Sequence, residues 1–214
     1  VELFPWFEYY LKGIGDEPES YVQMQRNDGR WHIEETWPPE DVYGEIWNYQ
    51  VSIPGGRWVS STSGGFEMEF KLPEDSPIHI SGLPTLHVDV STGLCNGGQL
   101  FVTMKDGDRS DESSLRLGHA TMDVRYRDGG YESKATSSLS SYRMLMEFNP
   151  MDVVVSSGWL TLEFTESGED YLPSPCAASG LFVESFDLFL PLIDRDENHE
   201  AWFDVPPWWE VQEM

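Results

Sequence analysis

The stretch Leu115–Gly130, "LRLGHATMDVRYRDGG", sets the terms for the whole chain. Met122, Val124 and Tyr126 alternate with Asp123, Arg125 and Arg127, which is the period-two pattern of a half-buried strand. Read this way, Arg125 and Arg127 share one face and the apolar side chains the other. "RDGG" then closes the strand with a turn signal. The pattern recurs along the chain. "TLHVDVS" aligns Leu86, Val88 and Val90, and "QLFVTMKD" aligns Leu100, Val102 and Met104. "RMLMEF" aligns Met144, Met146 and Phe148, and "WLTLEF" aligns Leu160, Leu162 and Phe164. "LFVESFDLFLPLI" places Phe186, Leu188, Leu190 and Leu192 together. "SYVQMQ", "NDGR" and "WHIEE" read as strand, turn and strand.

Turn signals punctuate these runs: "PGGR", "SGG", "NGG", "KDGD", "RDGG" and "SSG". Many short alternating strands with Gly-rich turns predict an all-β antiparallel sandwich, and long connections such as "GGYESKATSSLSS" suit a jelly roll better than a meander. Helical spacing appears only near the start, at Phe4, Phe7, Tyr10 and Leu11, with Gly13 and Gly15 as stops. The tail "DRDENHEAWFDVPPWWEVQEM" is acidic and aromatic and reads as an extension of residues 194–214.

The 214 residues can bury a core without help from disulfides or metals. The formal net charge is −25, with 13 Lys and Arg against 38 Asp and Glu. A surface this acidic repels nucleic-acid phosphate and anionic lipid, so neither is an expected partner. The lysine-poor acidity suits a saline or marine setting and equally an ordinary acidic soluble domain. No apolar run reaches the roughly 20 residues of a membrane helix, and no signal peptide is visible. The expectation is therefore a soluble, cytoplasmic protein. The opening at Val1, with no initiator Met, reads as a fragment or a processed product. Cys95 and Cys176 leave open both a long-range disulfide and two free thiols.

The search for chemistry returns little. No serine carries glycine at both flanking positions of a nucleophile elbow. The histidines His32, His79, His87, His119 and His199 form no ligand pair at i, i+4, and His87 and His119 read as structural. "DGDRSDES" (Asp106, Asp108, Asp111) and "DRDEN" (Asp194, Asp196, Asn198) fail the EF-hand pattern, because Asp111 and His199 stand where it needs Gly. No cofactor, metal or catalytic residue is expected. With so many carboxylates, a glycosidase-like acid pair is uninformative. Trp47, Trp58, Trp159, Trp202, Trp208 and Trp209 are candidates for a carbohydrate-stacking face, weighed against core packing.

A resemblance supplies what the residues alone do not. In order, "SPIHISGLPTLHVDVST", "GQLFVTMKD", Gly118 with the Arg125-Tyr126-Arg127 run, and "MLMEFNPMDVVVSSGWLTLEFTESGEDYLPSP" resemble the C-terminal jelly roll (galactose-binding-like β-sandwich) of the X-Pro dipeptidyl-peptidase, cocaine esterase and α-amino-acid ester hydrolase group of serine hydrolases. "FPWFEYYLKGI" resembles the helix that closes their α/β-hydrolase domain, and "YVQMQRNDGRWHIEETWPP" the opening of their jelly roll. The resemblance implies a closing helix and linker over 1–20, a jelly roll over 21–193, and a catalytic triad lying in a hydrolase domain upstream of this chain. The expected partner is that α/β-hydrolase domain of the same parent protein, met through Trp6, Phe7 and Tyr10. It also allows a homo-oligomer. Arg125 and Arg127 are then expected to serve as a structural clasp and not as an active-site pair. The alternatives are an independent carbohydrate- or ligand-binding sandwich, or a complete enzyme with an unconventional carboxylate site.

Overall fold

Side chains that alternate in the sequence point alternately into and out of a two-layer core. A computed structural model describes residues 3–18, 21–40, 46–72, 77–107, 114–168 and 171–193. Five helical residues, α1 (Leu3–Phe7), lead through a linker to a small hairpin, β1 (Val22–Gln25) and β2 (Trp31–Glu34). There follow β3 (Ile46–Val59), β4 (Phe66–Lys71), β5 (Ile78–Gly82), β6 (Thr85–Thr92), β7 (Gln99–Asp106) and β8 (Leu115–Asp123). The last are β9 (Ser141–Glu147), β10 (Met151–Val155), β11 (Trp159–Thr165) and β12 (Leu181–Ile193).

Two pairs of these strands are single strands with a kink. β5 and β6 are separated by Leu83 and Pro84, and both pair with β12: Ile80 faces Leu192 and Thr85 faces Phe189. β10 and β9 continue one another against them, with Met151 facing Gly82 and Glu147 facing Thr85. One sheet therefore runs β3, β12, β5/β6, β9/β10. The other runs β4, β11, β7, β8. From β3 onward, with β5/β6 and β9/β10 each taken as one strand, the chain crosses between the sheets at every step except β7 to β8. Two four-stranded sheets with this crossing order form a jelly roll, as the sequence predicts.

The inward faces supply the core. Leu86, Val88, Val90, Leu100, Val102, Met104, Met144, Met146, Leu160, Leu162 and Phe164 are fully shielded from solvent. Burying each such side chain contributes roughly 1.5–3 kcal/mol. An aromatic relay crosses the sandwich. Phe66 stacks on Phe164 at 4.6 Å, Phe164 meets Phe186 at 5.2 Å, and Phe186 meets Phe70 at 5.8 Å.

Three expectations need correction. "PGGR" is not a turn: β3 runs through it as a bulge, with Ser52 opposite Ser185 and Arg57 already opposite Val183. Gly55 and Gly56 take positive φ there, and a Cβ on Gly56 would strike the ring of Phe182. Leu192 is only half-buried while Ile193 is buried, because the alternation slips at Pro191, where β12 passes from β6 to β5. β8 ends at Asp123, so the strand does not reach the two arginines. Residues 194–214, including the "DRDEN" run, lie outside the described residues.

Cys95 and Cys176 form a disulfide with their Cα atoms 5.7 Å apart, closing a separation of 81 residues. Such bonds are rare where cellular reductants hold thiols reduced, which weighs against the cytoplasmic expectation. Replacing both cysteines with serine is expected to lower unfolding free energy by about 2–4 kcal/mol. Urea unfolding checks this, and an unchanged midpoint would show that the bond adds nothing.

Candidate functional site

The N-terminal segment is short and carries its apolar residues outward. After α1 the backbone widens into a π-helical turn over Glu8–Lys12, which Gly13 ends at φ 67° with its N–H donating to Tyr9 O at 2.9 Å. None of Glu8–Lys12 is buried. Trp6, Phe7 and Tyr10 are 47%, 42% and 51% exposed. Their rings gather on one another instead. Trp6 meets Phe7 edge-on at 5.5 Å and Tyr10 at 4.9 Å. Tyr10 also donates from its hydroxyl to Glu17 at 2.9 Å. Leu11 and Ile14 of the same segment are exposed too.

Arg125 and Arg127 separate in space. Asp123 has extended backbone and accepts from Arg125 N–H at 2.9 Å, starting a 3-10 turn over Val124–Tyr126. This capping bond outcompetes the strand pattern. It also turns Arg125 back onto Asp123, with Nε and an Nη each donating to a different carboxylate oxygen at 2.9 and 2.8 Å. Arg127 instead reaches across. Its guanidinium lies 4.7 Å from the Tyr142 ring centre and donates to Val124 O at 3.2 Å and Ala135 O at 3.5 Å. Its carbonyl accepts from Leu145 N–H at 2.8 Å, pinning this connection to the open edge of β9.

A polar cluster at the other end of the first sheet was not singled out by sequence pattern. His79 and Asp152 come from adjacent strands, β5 and β10, and bond through His79 Nε2 at 2.5 Å while nearly excluded from solvent. Ser81, opposite Asp152, is buried too. Beside them an open cleft of about 480 Å³ is lined by Arg26, Asp28, His79, Asp106, Leu115 and Val154. The β1–β2 turn forms one wall of it: the Asn27 amide donates to Val154 O and accepts from Val154 N–H, both at 2.8 Å, mimicking a strand partner. Asp106 accepts from Ser156 N–H and the Ser157 hydroxyl. These contacts tie Asn27 and Asp106 to backbone and His79 to Asp152. Ser81 is shut off from any substrate. Among the described residues, no three His, Cys, Asp or Glu side chains gather as metal ligands.

Of the tryptophans considered for a sugar face, Trp58 is exposed and packs on Phe182 at 5.2 Å, at the end of β3. Trp159 opens β11, in the opposite sheet. The side chains of Trp47, Trp202, Trp208 and Trp209 lie outside the described residues. His119 donates to or accepts from Tyr171 at 3.0 Å and stacks on Phe101, as a structural histidine does.

No family model and no curated protein matches the sequence. Solved structures do match its fold. A CocE/NonD family hydrolase from Staphylococcus aureus is 13% identical with a TM-score of 0.56, over 90% of this chain and 45% of that one. An aminopeptidase from a marine sediment Thaumarchaeota archaeon is 13% identical with a TM-score of 0.54, over 90% of this chain and 43% of that one. The matched part is the C-terminal domain of those proteins. The chain thus spans less than half the length of these two structures.

The hairpin turn carries a pH signature. The hydrogen bond from Arg26 holds the Asp28 carboxyl below its usual range, helped by Arg30 N–H and opposed by partial burial. A carboxyl depressed in the folded state adds stability above its unfolded value, about 3.9, and loses it as pH falls through the folded one. Acidification below about pH 4 is expected to loosen the hairpin and free Val154, with Asp28→Asn already loose at neutral pH. The amide resonances of Asn27 and Val154 report it; identical profiles for both proteins would refute the assignment.

Proposed function

We propose that this chain is a non-catalytic jelly-roll domain from the C-terminal part of a serine hydrolase akin to X-Pro dipeptidyl-peptidases and cocaine esterase. In this reading residues 1–20 close a preceding α/β-hydrolase domain, 21–193 form the jelly roll, and 194–214 extend it. The jelly roll packs on the catalytic domain and shapes access to its site. The observation that carries the reading is the outward cluster of Trp6, Phe7 and Tyr10. Rings this large, gathered on a short exposed segment, mark a surface that is covered in the working protein. That the matched structures are about twice the length of this chain supports a covering domain within the same polypeptide.

The reading is tested on the parent reading frame. An α/β-hydrolase sequence with a Gly-x-Ser-x-Gly serine is expected upstream of Val1, and a start codon immediately before Val1 would overturn it. The two-domain protein should hydrolyse activated esters or X-Pro amides, while the 214-residue chain alone should show no turnover above background. Alanine at Trp6, Phe7 and Tyr10 together should leave the melting point of the isolated chain unchanged and lower that of the two-domain protein.

Arg127 is the clasp in this reading, and Arg125 is not. Arg127→Ala removes a cation–π contact and two carbonyl partners, an expected loss of about 1–2 kcal/mol. Arg125→Ala removes a local, part-exposed ion pair worth under about 1 kcal/mol. Chemical denaturation of the two variants orders them; equal losses would return both arginines to one role.

A further inference from the structure

The outer face of the first sheet carries side chains that alternate with the core residues of β3, β12, β6 and β9. Strand register sets them in rows. Trp58, Phe182, Ser91 and Ser141 form one row. Ser52, Ser185, Asp89 and Arg143 form the next, and Gln50, Asp187, His87 and Leu145 the one after. Phe189 follows on β12, with its ring centre 5.0 Å from that of His87. An aromatic pair therefore closes each end of the face: Trp58 with Phe182 at 5.2 Å, and His87 with Phe189. Three ladder steps of two residues separate Phe182 from Phe189, about 20 Å along the strands.

Both the aromatic end and the polar middle are preformed. Gly55 and Gly56 make the bulge of β3, and the Phe182 ring fills the space where a side chain on Gly56 would stand. The glycine bulge thus seats this ring against the sheet beside Trp58, which is 45% exposed. In the middle, Arg143 is bound by both Asp89 and Asp187, and the Ser185 hydroxyl donates to Asp89 at 2.6 Å. Ser91 donates to Glu184 at 2.5 Å and shares a hydrogen bond with Ser141 at 2.8 Å. These groups fix one another in place. Arg143 is still 51% exposed and Asp89 37%, so donors and acceptors face solvent in a set geometry.

We propose that this face binds a neutral oligosaccharide. Sugar rings stack on Trp58 and Phe182 at one end and on Phe189 at the other, and their hydroxyls bond to the carboxylates, serines and Arg143 between. The chemistry of the face selects this occupant. A pyranose offers an apolar C–H face to an aromatic ring. Its edge hydroxyls donate to carboxylates and accept from a guanidinium or a serine. Among the residues of the face's middle, Asp89, Asp187 and Glu184 stand against one cation, Arg143, so an anionic glycan or a second acidic surface is repelled. A protein domain laid flat here would bury these charges at a cost that few partners offset. A sugar chain leaves water at their edges. The assignment holds whether or not a hydrolase domain precedes the chain.

Isothermal titration of the 214-residue chain tests this. The neutral probes are linear β-linked hexasaccharides of glucose, xylose, mannose and galactose; the anionic probe is hexagalacturonate. At least one neutral probe is expected to bind with one-to-one saturation, and hexagalacturonate is expected not to bind. Trp58→Ala changes a surface residue, so it should keep the melting temperature and weaken that binding by about tenfold or more. Trp58→Tyr should keep most of the affinity. Phe189→Ala should weaken the hexasaccharide too, and a disaccharide, too short to reach both ends, should bind far less tightly. Trp159→Ala, on the opposite sheet, should bind as the parent chain does. The proposal is overturned if no neutral probe binds, if binding survives both Trp58→Ala and Phe189→Ala, if Trp159→Ala abolishes it, or if hexagalacturonate binds as tightly.

Discussion

Strand β12 is the constraint on which the rest of the fold depends. Its 13 residues pair with β3 along one side and with β6 and then β5 along the other. It comes last among the described strands, so the first sheet cannot close until β12 joins strands from far earlier in the sequence. Its inward residues Phe186, Leu188 and Leu190 are buried in the core, where Phe186 meets Phe164 and Phe70 of the second sheet. A long strand with partners on both sides must absorb their irregularities. Hence the register shift at Glu184 against the β3 bulge, and the slip at Pro191 where the neighbour changes from β6 to β5.

The sandwich has two ends of different character. At one, the β1–β2 turn is clamped to β10 through Asn27, over the buried His79–Asp152 pair. At the other, the β6–β7 and β11–β12 connections are stapled by a disulfide. The N-terminal aromatic segment adds an apolar surface. None of these features presents a nucleophile with an adjacent base.

Much of this was legible before any coordinates. The alternating runs around Val88, Val102, Met146, Leu162 and Leu188 identify core strands, because burial of one sheet face leaves a period of two in the sequence. The exposed aromatics Trp6, Phe7 and Tyr10 were expected from the family resemblance and not from their spacing. The His79–Asp152 pair was not legible, since 73 residues separate the partners and nothing local distinguishes either from its neighbours. The outward row of Trp58, Phe182 and Ser91 was hidden for a similar reason, because only strand pairing sets the three side by side.

Arg125 and Arg127 show the boundary most sharply. By itself, the sequence determined an all-β jelly roll, its core faces, its acidity and the absence of a recognisable nucleophile motif, because these follow from composition and local period. The tertiary structure decided the rest: that Asp123 caps a turn and ends the strand, that Arg125 folds back on it, that Arg127 crosses to Tyr142, and that Cys95 meets Cys176. Each of these depends on which of several available partners lies within a few ångströms. That choice is made by the packing of distant strands and leaves no periodic trace along the chain.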